Sequence, residues 1–207
     1  MNFLAHLLLA GGEPAHQIGG LLGDFVKGPL PGSLPADLAL GVALHRQIDV
    51  QTDAHPLFRQ SCGRISPARR RVAGIMVDLF YDHFLVCHWR RFCEQSLGDY
   101  LADFYATLAQ RHDQLPARLQ GLWPRMRDEA WLESYGEVDS VGWALNSLAR
   151  RRTRLEAFLL GGGEELLWHY AELEQDFLAL FPQLQDFSQS WLAGAGGARG
   201  TGLGDCP

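Results

Sequence analysis

The residues best suited to chemistry lie in one apolar run, VDLFYDHFL, where Asp78, Asp82 and His83 interrupt aliphatic and aromatic side chains. If the run is helical, Asp78 and Asp82 are one turn apart on one face, and His83 lies about 100° further round. A buried carboxylate is costly unless it is paired or bound to a cation. Two of them beside an imidazole suggest either a divalent metal or an acid pair held by arginines.

Three earlier segments offer the same kinds of donor. His6 sits in NFLAHLLLA, where the plain alternative is a core histidine bonded to a carbonyl. Asp24 sits in GGLLGDFVKG, behind glycines that permit close backbone approach. His45 and Asp49, in ALHRQID, share a helix face four residues apart. Together these place histidines and carboxylates on four helices within the first 83 residues. Further on, His112 and His169 have charged or surface-like neighbours. A mixed imidazole and carboxylate set suits Mn²⁺, Fe²⁺, Zn²⁺ or Mg²⁺, and the lack of cysteine ligands speaks against a closed structural zinc. Helical bundles build such sites from facing helices. No GxSxG, Walker loop or GxGxxG offers a competing chemistry.

The elements that must position these residues read as helices throughout, because apolar residues recur at three and four rather than two. The fold class is therefore all-α, a single-domain helical bundle. Helices are expected at 2–10, from Pro14 to about Lys27, from Pro35 to about Val50, at 56–61, 97–111, 117–123, 126–135, 138–149 and 163–181. Ser66-Pro67 is a good helix start. From it a central helix over 67–95, the longest, is expected to carry VDLFYDHFL. After Trp191 the run AGAGGARGTGLGDCP has nothing to bury. The expected division is a helical domain over 1–192 and a flexible glycine-rich tail over 193–207.

With 207 residues, one domain with a real core is the natural size. Hydrophobic residues at 47% against 20% charged point to a globular chain rather than a disordered one. No apolar run approaches the ~20 residues that span a bilayer, and the first residues lack the basic region of a signal peptide. No membrane role is expected. Cys62, Cys87, Cys93 and Cys206 form no CxxC pair, which fits reduced thiols and a cytoplasmic location. The net charge of −6 argues against nucleic acid as a partner. The basic residues are clustered all the same. Arg59, Arg64, Arg69, Arg70 and Arg71 fall within 58–72 with no acid between them, and Arg150, Arg151, Arg152 and Arg154 form a second group. These are either solvated helix ends or a docking surface for something acidic.

Taken in order, MNFLAHLLLA, LLGDFVKG, LHRQIDVQTD, RRVAGIMVDLFYDHFLVCHW, NSLARRRTRL and HYAELEQDFLALFP resemble the acyl carrier protein phosphodiesterase family over roughly residues 1–190. That family is similar to the HD-domain metal-dependent phosphohydrolases, with the histidine–aspartate order altered. The resemblance implies an HD-domain-like helical enzyme, supported best by Mn²⁺, with Mg²⁺, Fe²⁺ and Zn²⁺ as alternatives. It implies removal of 4′-phosphopantetheine from holo acyl carrier protein, a small, strongly acidic helical substrate. On that reading His6, Asp24, His45, Asp78, Asp82 and His83 are metal ligands for one or two ions. Asp49 orients a ligand or acts as general base, and Arg46 or Lys27 steadies the phosphate. Arg69, Arg70, Arg71, Arg150, Arg151, Arg152 and Arg154 would receive the substrate. Three departures stand out: Gly20 occupies a place where members tend to carry asparagine, the glycine-rich tail after Trp191 is not part of the pattern, and Leu8 thins a histidine-rich N-terminus. The alternatives are a hydrolase of nucleotides or other small phosphoesters, and a helical module that binds acyl carrier protein without cleaving it.

Overall fold

The computed structural model describes the backbone of residues 1–200 and side chains through 195. Twelve α-helices and four short 3-10 segments, joined by loops, form the secondary structure of the described residues, with no strand among them. The first five helices build the half of the molecule that matters for chemistry: α1 (Phe3–Leu9), α2 (Pro14–Leu22), α3 (Ala36–Ala54), α4 (Pro56–Arg64) and α5 (Ala73–Cys87). They are followed by α6 (Leu97–Gln110), α7 (Ala117–Asp128), α8 (Trp131–Ser134), α9 (Val138–Arg151), α10 (Glu156–Leu159), α11 (Gly163–Trp168) and α12 (Tyr170–Gly200).

Local chemistry explains the start of the chain. Gly11, at φ +76°, takes the left-handed conformation that ends α1, and Pro14 opens α2 in its first turn. The α2 and α3 backbones then approach closely at Gly19 and Gly41: a Cβ on Gly19 would stand 2.5 Å from the Gly41 Cα. Any side chain at either position would drive these helices apart. That contact fixes where α3, and with it His45 and Asp49, stands relative to α1 and α2.

The central helix expected over 67–95 is three pieces. Pro67–Val72 is a 3-10 segment, α5 covers Ala73–Cys87, and Trp89–Arg91 is a second 3-10 turn. Tertiary bonds shape the first piece. The Arg69 guanidinium donates to the carbonyls of Phe158 and Leu160, while the Ser66 hydroxyl and backbone N–H donate to Glu165. Val72, at φ −116° and ψ 9°, then turns the chain into α5, and His88 at φ −108° and ψ 18° closes it. The longest helix is α12, with 31 residues. It runs across the boundary expected at 192/193 as far as Gly200, and the tail positions 201–207 lie outside the described residues. The helix expected to reach Lys27 ends at Leu22, where the chain turns into the 23–28 loop. The pieces expected at 117–123 and 126–135 redistribute into α7, which continues through Pro124, and the four-residue α8.

Phe80, Tyr81 and Phe84 of α5 are fully buried, and Tyr81 and Phe84 meet Phe177 of α12, which in turn packs on Phe181. Burial of each such ring contributes about 1.5–3 kcal/mol. The Tyr81 hydroxyl is 2.8 Å from Ser61 Oγ, which donates to Asp176 at 2.9 Å, and Arg64 Nε donates to the same carboxylate at 3.0 Å. An acid held by an arginine therefore exists here, but it is Asp176 on α12. No helix among the described residues is long and apolar enough to cross a membrane.

Candidate metal centre

His6 on α1 and His45 on α3 stack face to face, ring centroids 3.7 Å apart and 20° between planes. Both turn Nε2 toward one carboxylate: His6 Nε2 is 3.1 Å from Asp49 Oδ1, and His45 Nε2 is 3.2 Å from Asp49 Oδ2. Donor atoms of all three residues lie within 4.8 Å of one another. The imidazoles are buried, whereas the Asp49 side chain is 42% exposed, so the cluster opens to solvent through its carboxylate.

The tautomers test whether an ion fits. His45 Nδ1 is 2.7 Å from the Gly20 carbonyl and must donate there, which leaves the lone pair of a neutral ring on Nε2. That lone pair points at an anionic oxygen. A positive species has to lie between them, either a second proton on the ring or a metal ion. His6 Nε2 likewise faces two acceptors, Asp49 Oδ1 and the Met1 carbonyl at 3.1 Å, while its buried Nδ1 has no partner. Desolvation pushes the His6 pKa down to about 3, so this ring is neutral, the form that ligates a metal. Desolvation works against the Asp49 carboxylate too, but the bonds from His45 and His6 and the Met1 ammonium outweigh it and hold the pKa well below the usual carboxylate range. Neutral imidazole, fixed carboxylate and a carbonyl-anchored second nitrogen are what a divalent ion requires.

Glycines make room for the rings. A Cβ on Gly23 would stand 2.2 Å from His45 Cγ, and one on Gly20 would stand 2.9 Å from the His6 carbonyl oxygen. In this chain Gly20 has a local reason to be glycine, since the His6 backbone crowds it.

A group that residue patterns did not flag completes the cluster. The Met1 α-amine lies 3.2 Å from Asp49 Oδ1 and 3.1 Å from Asp78 Oδ1. Burial alone would lower its pKa, but Asp78 and Asp49 outweigh burial and raise it to about 10. Asp78 itself is pushed up by desolvation, opposed by this ammonium.

The other expected site residues divide. Asp24 is exposed at the rim, yet its carboxyl is crowded enough that desolvation raises its pKa, against the pull of His45, the Met1 ammonium and Lys27. Lys27 is exposed beside it on the same loop. The Arg46 guanidinium donates to the carbonyls of Gly28 at 2.9 Å and Val26 at 3.3 Å, so it braces that loop. Asp82 and His83 lie apart from the cluster. Asp82 is fully buried and caps α1: it accepts from Leu4 N and Ala5 N, both at 3.0 Å, and from Asn2 Nδ2 at 2.9 Å. Desolvation raises its pKa to about 7, with those backbone bonds opposing. His83 Nδ1 is 2.8 Å from the Tyr135 carbonyl and Nε2 is 3.0 Å from the Tyr170 hydroxyl, so both ring nitrogens are engaged by the chain. Of the arginines expected to dock a partner, Arg69 is occupied by the carbonyls of Phe158 and Leu160. Arg70, Arg71, Arg150, Arg151, Arg152 and Arg154 are exposed.

The family pattern described as acyl carrier protein phosphodiesterase matches residues 1–184. The chain is 37% identical over 190 residues to the acyl carrier protein phosphodiesterase of Yersinia enterocolitica, covering 91% of this chain and 98% of that protein. It is 37% identical over 195 residues to the protein of the same name from Klebsiella pneumoniae subsp. pneumoniae, covering 92% and 98%. The corresponding Photorhabdus laumondii protein is 33% identical over 191 residues, covering 92% and 96%. No solved structure gives a significant match. The chain belongs to the acyl carrier protein phosphodiesterase family.

Proposed function

We propose that this chain hydrolyses the phosphodiester that joins 4′-phosphopantetheine to holo acyl carrier protein, using a divalent ion, Mn²⁺ first, at His6, His45 and Asp49. The observation that carries the metal is the pair of Nε2 atoms turned onto one carboxylate. The substrate comes from the family and from the names its relatives carry. An ion held there would offset charge on the phosphoryl oxygens and lower the pKa of a bound water toward neutrality.

The chain's own residues do the rest. His45 is locked by Gly20 with Nε2 toward the site, and Asp49 bridges the two imidazoles. Asp78 and Asp24, both pushed up from the ordinary carboxylate range by desolvation, are the carboxyls best suited to exchange a proton. Lys27, on the loop braced by Arg46, is an exposed cation at the rim available to an anionic substrate. Asp82 and His83 act at one remove: Asp82 anchors the first turn of α1, and α1 carries His6. Kinship with HD-domain phosphohydrolases and a cytoplasmic setting are parts of this reading.

The test is incubation of holo acyl carrier protein with the Mn²⁺-loaded protein, scored by mass for loss of phosphopantetheine, beside a panel of nucleotides. Conversion to apo acyl carrier protein is expected. Turnover of nucleotides in place of the carrier protein would transfer the same site to a small-phosphoester hydrolase.

A further inference from the structure

Away from the metal cluster, exposed apolar side chains concentrate in one place. Among the described residues, Trp143 is 70% exposed, Trp168 61%, Leu167 60% and Leu160 39%, and the one other large exposed hydrophobic is Val50. The first four belong to adjoining segments. A Cβ on Gly163, which opens α11, would stand 2.9 Å from the Gly142 Cα on α9, and Asn146 Oδ1 accepts the Gly161 N–H at 3.0 Å. Trp143 follows Gly142, and Leu167 lies one turn beyond Gly163. The exposed stripe of α9 continues from Trp143 through Ser147 to Arg150 and Arg151, at spacings of four, seven and eight. Arg150, Arg151, Arg152 and Arg154 are all exposed, and no ion pair engages them among the described residues.

Two tryptophans facing solvent beside uncompensated arginines are unusual on a chain whose net charge is −6. Tryptophan and arginine are the residues that carry most binding energy at protein interfaces. Free guanidinium groups on an acidic protein select a partner more acidic still. We infer that the α9–α11 face docks an acidic helical protein surface, with apolar side chains against Trp143 and Trp168 and carboxylates against Arg150, Arg151 and Arg154. The identity of that partner as acyl carrier protein rests on the proposed function.

A second basic segment adjoins the face. The Leu160 carbonyl is held by Arg69, and Arg70 and Arg71 are exposed on the same 3-10 segment. Arg69, Arg70 and Arg71 therefore extend the basic border of the docking face at Leu160.

The experiment is calorimetric titration of apo acyl carrier protein into the Mn²⁺-loaded full chain, with the Trp143→Ala, Trp168→Ala and Arg151→Glu/Arg154→Glu variants alongside. All four positions are exposed, and thermal melts check that each variant is folded. Trp143→Ala and the double reversal should each weaken binding by about tenfold or more. Salt should weaken wild type more than the double reversal. Equal binding by wild type and variants, or no binding by wild type, would overturn the inference. A wild-type dimer that Trp143→Ala converts to monomer would overturn it too, giving the face to a second copy. If apo acyl carrier protein binds as expected but holo acyl carrier protein incubated with the same Mn²⁺-loaded chain keeps its phosphopantetheine, the proposed activity falls and the docking face stands. If it is cleaved with KM unchanged in the variants, the reverse holds.

Discussion

Around Asp49, two imidazole Nε2 atoms face one half-exposed carboxylate, and His6 Nδ1 is left without a partner. Around Asp82 and His83, the same residue types are closed in: three donors from the α1 region occupy Asp82, while a carbonyl and a tyrosine hydroxyl occupy His83. Residue type does not separate these two regions; hydrogen-bond satisfaction does. Where the chain already occupies a group's lone pairs, less capacity is left for a ligand, whereas a lone pair aimed at an anionic oxygen, as at His45 Nε2, needs a proton or a metal ion between them.

Mutations can break this contrast, and the largest effect is expected at Asp49. Asp49→Ala removes the oxygens that both imidazoles face, and activity on the carrier protein should fall more than 100-fold, beyond the ~10–100-fold typical of groups behind the ligands. Steady-state rates with matched metal analysis check this. Gly23→Ala comes next. Its Cβ would meet the His45 ring at 2.2 Å, so the ring must turn and Mn²⁺ affinity should drop by about 10–100-fold while the fold survives. Electron paramagnetic resonance titration of Mn²⁺ reads that directly; unchanged affinity would mean that His45 is not a ligand. Asp82→Ala should behave in the opposite way. It strips the acceptor from two buried backbone N–H groups and should cost about 2–4 kcal/mol in urea melts, with metal content per folded molecule retained.

The sequence made the all-helical fold legible, because the three-and-four spacing of apolar residues is a local property. His6 and His45 were legible too, since a buried imidazole in an apolar helix needs a partner. The segment 67–95 was not. Its first turns are held by Arg69 and Ser66 reaching residues 89 or more positions away, and nothing in the local periodicity records those bonds. The same holds inside the site. Asp78 and Asp82 share a helix face as their spacing demands, yet Asp78 meets the Met1 amine while Asp82 meets the α1 backbone. Which acid receives which donor depends on how α1 lies across α5. Asp49, expected in a supporting role, lies between both imidazoles for the same reason: α1 brings His6 to the face where α3 already presents His45.

The smallest expected effect is on pH dependence. In ion-free protein His6 has a pKa of about 3 against 6.5 for the free side chain. Below 6.5 the unfolded chain binds a proton that the folded chain refuses, so this contribution to stability is lost as pH falls from about 6.5 toward 3. Asp82, raised to about 7 from 3.8, has the opposite sign: its contribution is greatest in acid and is lost as pH rises toward 7. His6→Gln should therefore shift the balance and reduce the loss of stability between pH 6.5 and 4, as followed by urea melts in chelator. An unchanged acid slope would show that His6 is not held neutral.

The central claim is that one divalent ion belongs between α1 and α3 and not on the Asp82–His83 pair. An anomalous difference map from crystals soaked in Mn²⁺ tests it most directly. The account predicts a peak within bonding distance of His6 Nε2, His45 Nε2 and an Asp49 oxygen. A peak at Asp82 and His83, with the Asp49 cluster bare, would contradict it.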